Sequence, residues 1–107
     1  MISLVSTKTP LRVGLLGGGT DIEEISNKIG GAVLNFAFNQ YVYVTIKKHS
    51  GLFAEKFRLQ YSETELINSI DEIKNDVIRS TLNYFKIDSP LVIQTISDIP
   101  AASGLGS

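Results

Sequence analysis

The sequence predicts an α+β fold, a mixed or antiparallel sheet with helices mainly on one face. Three observations carry this. Period-two alternation of apolar residues recurs along the chain and marks strands. Helical spacing shows in only two segments. The strands follow one another without the regular strand–helix alternation of a doubly wound sheet. The predicted order is β-β-α-β-β-β-α-β-loop, in 107 residues, which is one domain's worth.

Residues 2–9 and 11–16 read as strands interrupted at Pro10, because proline lacks a backbone donor. The run GGGT follows at once. TDIEEISNKIGG then reads as a short helix. Thr20 and Glu23 have capping-box spacing, and Asp21, Glu23 and Glu24 suit the positive end of the dipole. Ile22, Ile25 and Ile29 share one face, and Gly30-Gly31 supplies the stop. In AVLNFAFNQYVYVTIKKH, Leu34, Phe36 and Phe38, then Val42, Val44 and Ile46, alternate with their neighbours and predict two long strands, with a hairpin turn at Asn39-Gln40. Phe57, Leu59 and Tyr61 mark another strand. A helical region is expected from about Ser62 to Phe85, with Ile70, Ile73, Val77, Leu82 and Phe85 as its buried stripe. Asn75-Asp76 is placed as a break that caps its second half. Asp88-Ser89-Pro90 is a turn, and LVIQTIS is a last strand leading into the closing glycine-rich loop.

Composition narrows the function classes. A hydrophobic content of 43% supports a modest core, and a net charge of −1 gives no electrostatic case for nucleic acid or an acidic membrane. The absence of cysteine excludes disulfides and thiolate metal sites. The N-terminus lacks the basic start and long apolar stretch of a signal peptide, and no apolar run approaches the roughly 20 residues that span a bilayer. A soluble, cytoplasmic protein is expected.

Two stretches could carry chemistry. In PLRVGLLGGGTD, three glycines between a strand and a helix let a ligand approach the backbone. Amides at the helix start suit an anion or hydroxyls. Asp21 offers an acceptor for sugar hydroxyls, and Arg12 a charge suited to phosphate. A plain tight turn with a solvated arginine fits the same residues. In IPAASGLGS, small residues after an apolar strand suggest a phosphate-cradling loop, and a C-terminal tail fits equally. The P-loop signature and the dinucleotide fingerprint are both absent. His49, the one histidine, reads as exposed. Phe36, Phe38, Tyr41 and Tyr43 read as hairpin packing, and Glu63, Glu65, Asp71, Glu72 and Asp76 as a solvated helical face.

Taken together, the two loops resemble the GHMP kinase family of small-molecule kinases. Pro10-Leu11-Arg12 followed by GGGTD matches its opening Pro-x-Arg strand and substrate loop. Pro100 to Ser107 matches Pro-x(3)-Gly-Leu-Gly-Ser-Ser, stopping before the second serine. GGGTD and GGAVLNFAFNQYVYVTIK look closest to the heptose 7-phosphate kinase branch. The Gly-Glu-His-x-Asp of the galactokinase branch is missing. The resemblance implies the ribosomal protein S5 domain 2-like fold. It also implies transfer of the ATP γ-phosphate to the anomeric hydroxyl of a heptose 7-phosphate. Gly18, Gly19, Thr20 and Asp21 would contact the sugar. Pro100, Ser103, Gly104, Leu105, Gly106 and Ser107 would bind the ATP phosphates. Arg12 would lie near the transferring phosphate or the reactive hydroxyl. In the family the Mg²⁺ ligands and any catalytic aspartate lie downstream, so no metal ligand is expected within the chain. On this reading residues 1–107 are the N-terminal part of a longer kinase, ending inside the ATP loop, and are inactive alone. A fucose-type or other sugar kinase, or a non-catalytic binding module retaining the fold, are the alternatives.

Overall fold

The computed structural model of the chain describes residues 3–100. Five strands and two α-helices follow in the order β1 (Leu4–Gly17), α1 (Glu23–Ile29), β2 (Val33–Lys48), β3 (Phe57–Gln60), β4 (Thr64–Ile67), a 3-10 turn (Ile70–Glu72), α2 (Asp76–Tyr84) and β5 (Leu91–Ser97). The strand order in the sheet is β1-β2-β5-β3-β4. Backbone bonds from Lys48 to Ser3 and the Ser6–Thr45 hydroxyl contact make β1 and β2 antiparallel. Bonds joining His49 to Pro90 and Asp98 to Tyr41 make β2 and β5 antiparallel as well. β5 runs parallel to β3, and β3 antiparallel to β4, so the sheet is mixed, as expected.

Three elements depart from the sequence expectation. Pro10 does not interrupt the first strand, because β1 is an edge strand and no ladder bond is lost where no neighbour waits. Asn39-Gln40 makes no turn. A two-residue hairpin needs left-handed backbone, and the only non-glycine residue with positive φ among the described residues is Lys86. β2 therefore runs 16 residues without a break. The region 62–85 is not helical throughout, since Thr64–Ile67 pairs with β3 as a strand.

The chain forms two compact units. The first comprises residues 1–7 and 43–96 and holds the main core. The parallel register sets Phe57 beside Leu91 and Leu59 beside Ile93, so all four point to one face. Ile73 and Leu82 close over them, with Val44, Tyr61, Ile67, Ile70 and Ile78 packed around the edge. Each such side chain taken fully from water contributes roughly 2 kcal/mol. Asn75 caps α2 as expected, its side chain accepting the Ile78 amide at 3.1 Å. The helix ends in a Schellman arrangement, with Lys86 in the left-handed region at φ 54. The Lys86 amide bonds the Asn83 carbonyl and the Ile87 amide the Leu82 carbonyl. Only part of the expected stripe is buried, because Val77 and Phe85 face solvent.

Glu65 corrects the solvated acidic face. It pairs with Leu59 across the β3–β4 ladder, so the pleat turns it inward, and it is 6% exposed. Its carboxylate accepts the Lys74 and Asn75 amides, at 2.8 and 3.2 Å, and the Tyr61 hydroxyl at 2.7 Å. His49 is likewise half-buried rather than exposed. Its Nδ1 accepts the Gly51 amide, its Nε2 donates to the Lys56 carbonyl, and its ring meets Phe53 edge-on.

The second unit comprises residues 8–42 and 97–107. Leu11 is its one buried hydrophobic among the described residues. Ile25 and Ile29 of α1 are exposed, as are Leu15, Leu16, Val33, Leu34 and Phe36.

Candidate functional site

The first glycine loop is drawn tight by backbone geometry. Gly17 and Gly18 have φ of 89 and 96, a region that side chains disfavour. A Cβ on Gly17 would overlap the Ala32 carbonyl oxygen and come within 2.9 Å of the Val33 Cα. The start of the loop thus lies directly on the start of β2. The Asp21 amide donates to the Gly18 carbonyl at 3.3 Å, closing the turn. The Asp21 carboxylate lies over Gly18, where a Cβ would sit 3.5 Å from Oδ2. Gly31 packs against the Thr20 hydroxyl, and a side chain there would displace it. The capping box does not form: Ile22 is the N-cap of α1 and no side chain caps it. Thr20 faces Gly31 instead. Gly30, at φ 71, ends the helix as expected.

This arrangement brings Gly18, Thr20 and Asp21 into one turn, and leaves the space beside Gly19 open. An exposed carboxylate beside bare backbone can accept hydroxyl hydrogen bonds from a polyol. Glu23 and Glu24 occupy the first turn of the seven-residue α1, which argues against an anion at that helix end.

Arg12 is not part of the turn. It lies five residues before Gly17 on β1, roughly 17 Å along the strand at about 3.3 Å per residue. It is exposed, beside buried Leu11, and none of the ion pairs among the described residues engages it.

Tyr41 is where β2 receives the chain leaving β5. The Asp98 amide donates to the Tyr41 carbonyl at 3.0 Å, and the Tyr41 amide donates to the Asp98 carboxylate at 2.8 Å. Lys8 sits over the Tyr41 ring, 4.1 Å from its centre. Pro100 follows two residues later. The sequence-predicted residues Ser103, Gly104, Leu105, Gly106 and Ser107 lie outside the described residues. Arg12, the glycine turn and Pro100 all belong to the second unit.

Asp98 and Tyr41 were not among the predicted site residues. The signal was present, since a serine and an aspartate just before Ile99-Pro100 favour local turn bonds. A cavity of about 590 Å³ in the first unit, between Lys47, His49, Phe53, Arg58 and Val92, contains none of the predicted residues. Among the described residues no group of three or more His, Asp or Glu could hold a metal ion, and no helix is long and apolar enough to cross a membrane.

No family model matches the chain. It is 38% identical over 111 residues to a D-glycero-alpha-D-manno-heptose 7-phosphate kinase of Campylobacter jejuni, a match covering 95% of the chain and 33% of that protein. A D-glycero-D-manno-heptose 1-phosphate kinase of Bacteroides thetaiotaomicron has a similar structure. Its TM-score is 0.69 at 28% identity, over 95% of this chain and 36% of that one. A protein of Campylobacter jejuni assigned as a sugar kinase gives a TM-score of 0.64 at 30% identity, over 96% of this chain and 36% of that one. The chain thus spans about a third of the length of these relatives. In sequence and in fold the chain is similar, over 95% of its length, to heptose-phosphate kinases, sugar kinases of the GHMP type.

Proposed function

We propose that the chain forms the sugar- and nucleotide-facing N-terminal part of an ATP-dependent kinase. That kinase transfers the γ-phosphate of ATP to the anomeric hydroxyl of a heptose 7-phosphate. The new bond joins the γ-phosphorus to the anomeric oxygen, the β,γ-bridging bond breaks, and ADP and a proton leave. The observation that carries the reading is the 38% identity to a heptose 7-phosphate kinase across 95% of the chain. The open glycine turn supports it.

Phosphoryl transfer asks the protein for positioning and charge neutralisation. Asp21 accepts hydroxyl protons of the sugar, while the bare backbone of Gly18 and Gly19 and the Thr20 segment shape the floor beneath it. Arg12 is exposed on β1, in the same unit as Pro100. That location suits a guanidinium steadying the phosphate in transit. Pro100, with Ser103, Gly104, Leu105, Gly106 and Ser107, belongs to the glycine-rich sequence assigned to the ATP phosphates. Mg²⁺, when bound, neutralises charge on the ATP phosphates. The activity belongs to the intact protein, and residues 1–107 alone are catalytically silent.

Steady-state kinetics of the intact kinase test the sugar-facing role. Asp21→Ala raises the heptose 7-phosphate KM by about tenfold, the effect of losing a hydrogen bond to a charged group, and leaves the ATP KM in place. Unchanged sugar KM and turnover would overturn it. Measurable transfer by purified residues 1–107 would contradict the silence of the part.

A further inference from the structure

We propose that Asp98 is a positioning residue for the ATP phosphate loop, acting through the backbone of Tyr41. The inference rests on the kinase reading above.

The geometry is local and specific. β5 ends at Ser97, and the ladder to β2 gains one more residue through Asp98. The Asp98 amide bonds the Tyr41 carbonyl, as a strand residue would. The return bond is different: the Tyr41 amide goes to the Asp98 side chain at 2.8 Å, not to a backbone carbonyl. A carboxylate has taken the place of the next ladder acceptor. β2 keeps its Tyr41 amide satisfied, and the chain is released from the sheet immediately afterwards. The following residues use that release. The Ile99 amide turns back to the Ser97 hydroxyl at 3.3 Å, and Pro100 has no amide to donate. Residues 97–100 therefore form a built departure point, fixed to β2 by two bonds at Tyr41. Pro100 opens the phosphate-loop motif two residues beyond the clamp. A loop that works by aiming amides at phosphate oxygens depends on where its first residue leaves the sheet.

Asp98 touches neither sugar nor nucleotide in this account, so its effect appears in ATP binding and not in sugar binding. In the intact kinase, Asp98→Ala raises the ATP KM by about tenfold, the loss of one hydrogen bond to a charged acceptor. The sugar KM does not move. Asp98→Asn, which keeps an oxygen where the Tyr41 amide donates, restores the ATP KM to within about threefold, a neutral acceptor being weaker than a charged one. Should the alanine variant fail to fold, Asp98→Glu replaces it. Its extra methylene shifts the departure point and raises the ATP KM alone. An unchanged ATP KM, an equal rise in both KM values, or an asparagine variant as impaired as the alanine variant would each overturn the inference. An inactive wild type would overturn the kinase reading and this inference with it. An active wild type indifferent to Asp98 overturns the inference alone.

Discussion

Glu65 illustrates how a single side chain organises its surroundings. Three donors converge on its carboxylate from Tyr61, Lys74 and Asn75, which joins β4 to the start of α2. Burial alone would raise the carboxyl. The Lys74 amide, the Tyr61 hydroxyl, the Asn75 amide and the Lys74 charge hold it below its ordinary value of 4.5. The folded state therefore favours the ionised form. Stability from Glu65 is complete above pH 4.5 and is lost as the pH falls below it. Tyr61 behaves oppositely. Its hydrogen bond to Glu65, then burial and the charges of Glu65 and Glu63, push its hydroxyl from 10.0 up to about 12, so its contribution is lost as the pH rises from 10 towards 12. Replacing Glu65 by alanine removes the shared acceptor of three partly buried hydrogen bonds and costs about 2–3 kcal/mol, read from denaturant unfolding at neutral pH. Glu65→Gln flattens the acid limb of a melting-temperature profile. The sequence reading placed Glu65 among solvated acids because charge is normally exposed, and nothing local announces the three distant donors. The position of Asp21 in the glycine turn, in contrast, was legible, because it follows the three glycines directly in the chain.

At the scale of elements, strand character was legible and strand boundaries were not. Alternation through residues 33–48 marks a strand, yet it cannot distinguish one long strand from two joined at a weak turn. The absence of a glycine at Asn39-Gln40 decides the matter, because left-handed backbone there is costly. Thr64–Ile67 was absorbed into a helix because its inward residue is a glutamate and its outward Leu66 is apolar, which inverts the usual pattern. Glycine positions carry a sharper prediction. Gly17→Ala forces a side chain onto the Ala32 carbonyl from a left-handed backbone and destabilises the protein by more than about 2 kcal/mol. Gly14→Ala, with nothing within 4 Å, is neutral or slightly stabilising, and parallel chemical denaturation of the two variants checks the contrast. The end of α2 gives the converse. Lys86 occupies a left-handed cap that glycine fills without strain, so Lys86→Gly stabilises by about 0.5–1 kcal/mol, read as a higher melting temperature.

At the scale of the molecule, the α+β class and the mixed sheet were legible because strands outnumber helices and do not alternate with them. The relation to sugar kinases was legible because two loops far apart in sequence matched together. Arg12 was legible as a residue but not in its surroundings: sequence proximity associates it with the glycine turn, while strand geometry sets it roughly 17 Å away. Extended chain separates neighbours in sequence, and pairing brings β2 and the departure from β5 together. Exposed isoleucines along α1 are equally a whole-molecule feature, since periodicity shows a shared face but not what covers it. The central claim is that this chain supplies the sugar- and ATP-facing loops of a heptose 7-phosphate kinase. Phosphorus NMR of the intact protein with ATP, Mg²⁺ and D-glycero-D-manno-heptose 7-phosphate tests it most directly. The account predicts a new phosphate signal coupled to the anomeric proton, growing in step with ADP and abolished when the sugar is left out. ADP formed without that signal, or no turnover of ATP with this sugar, would contradict it.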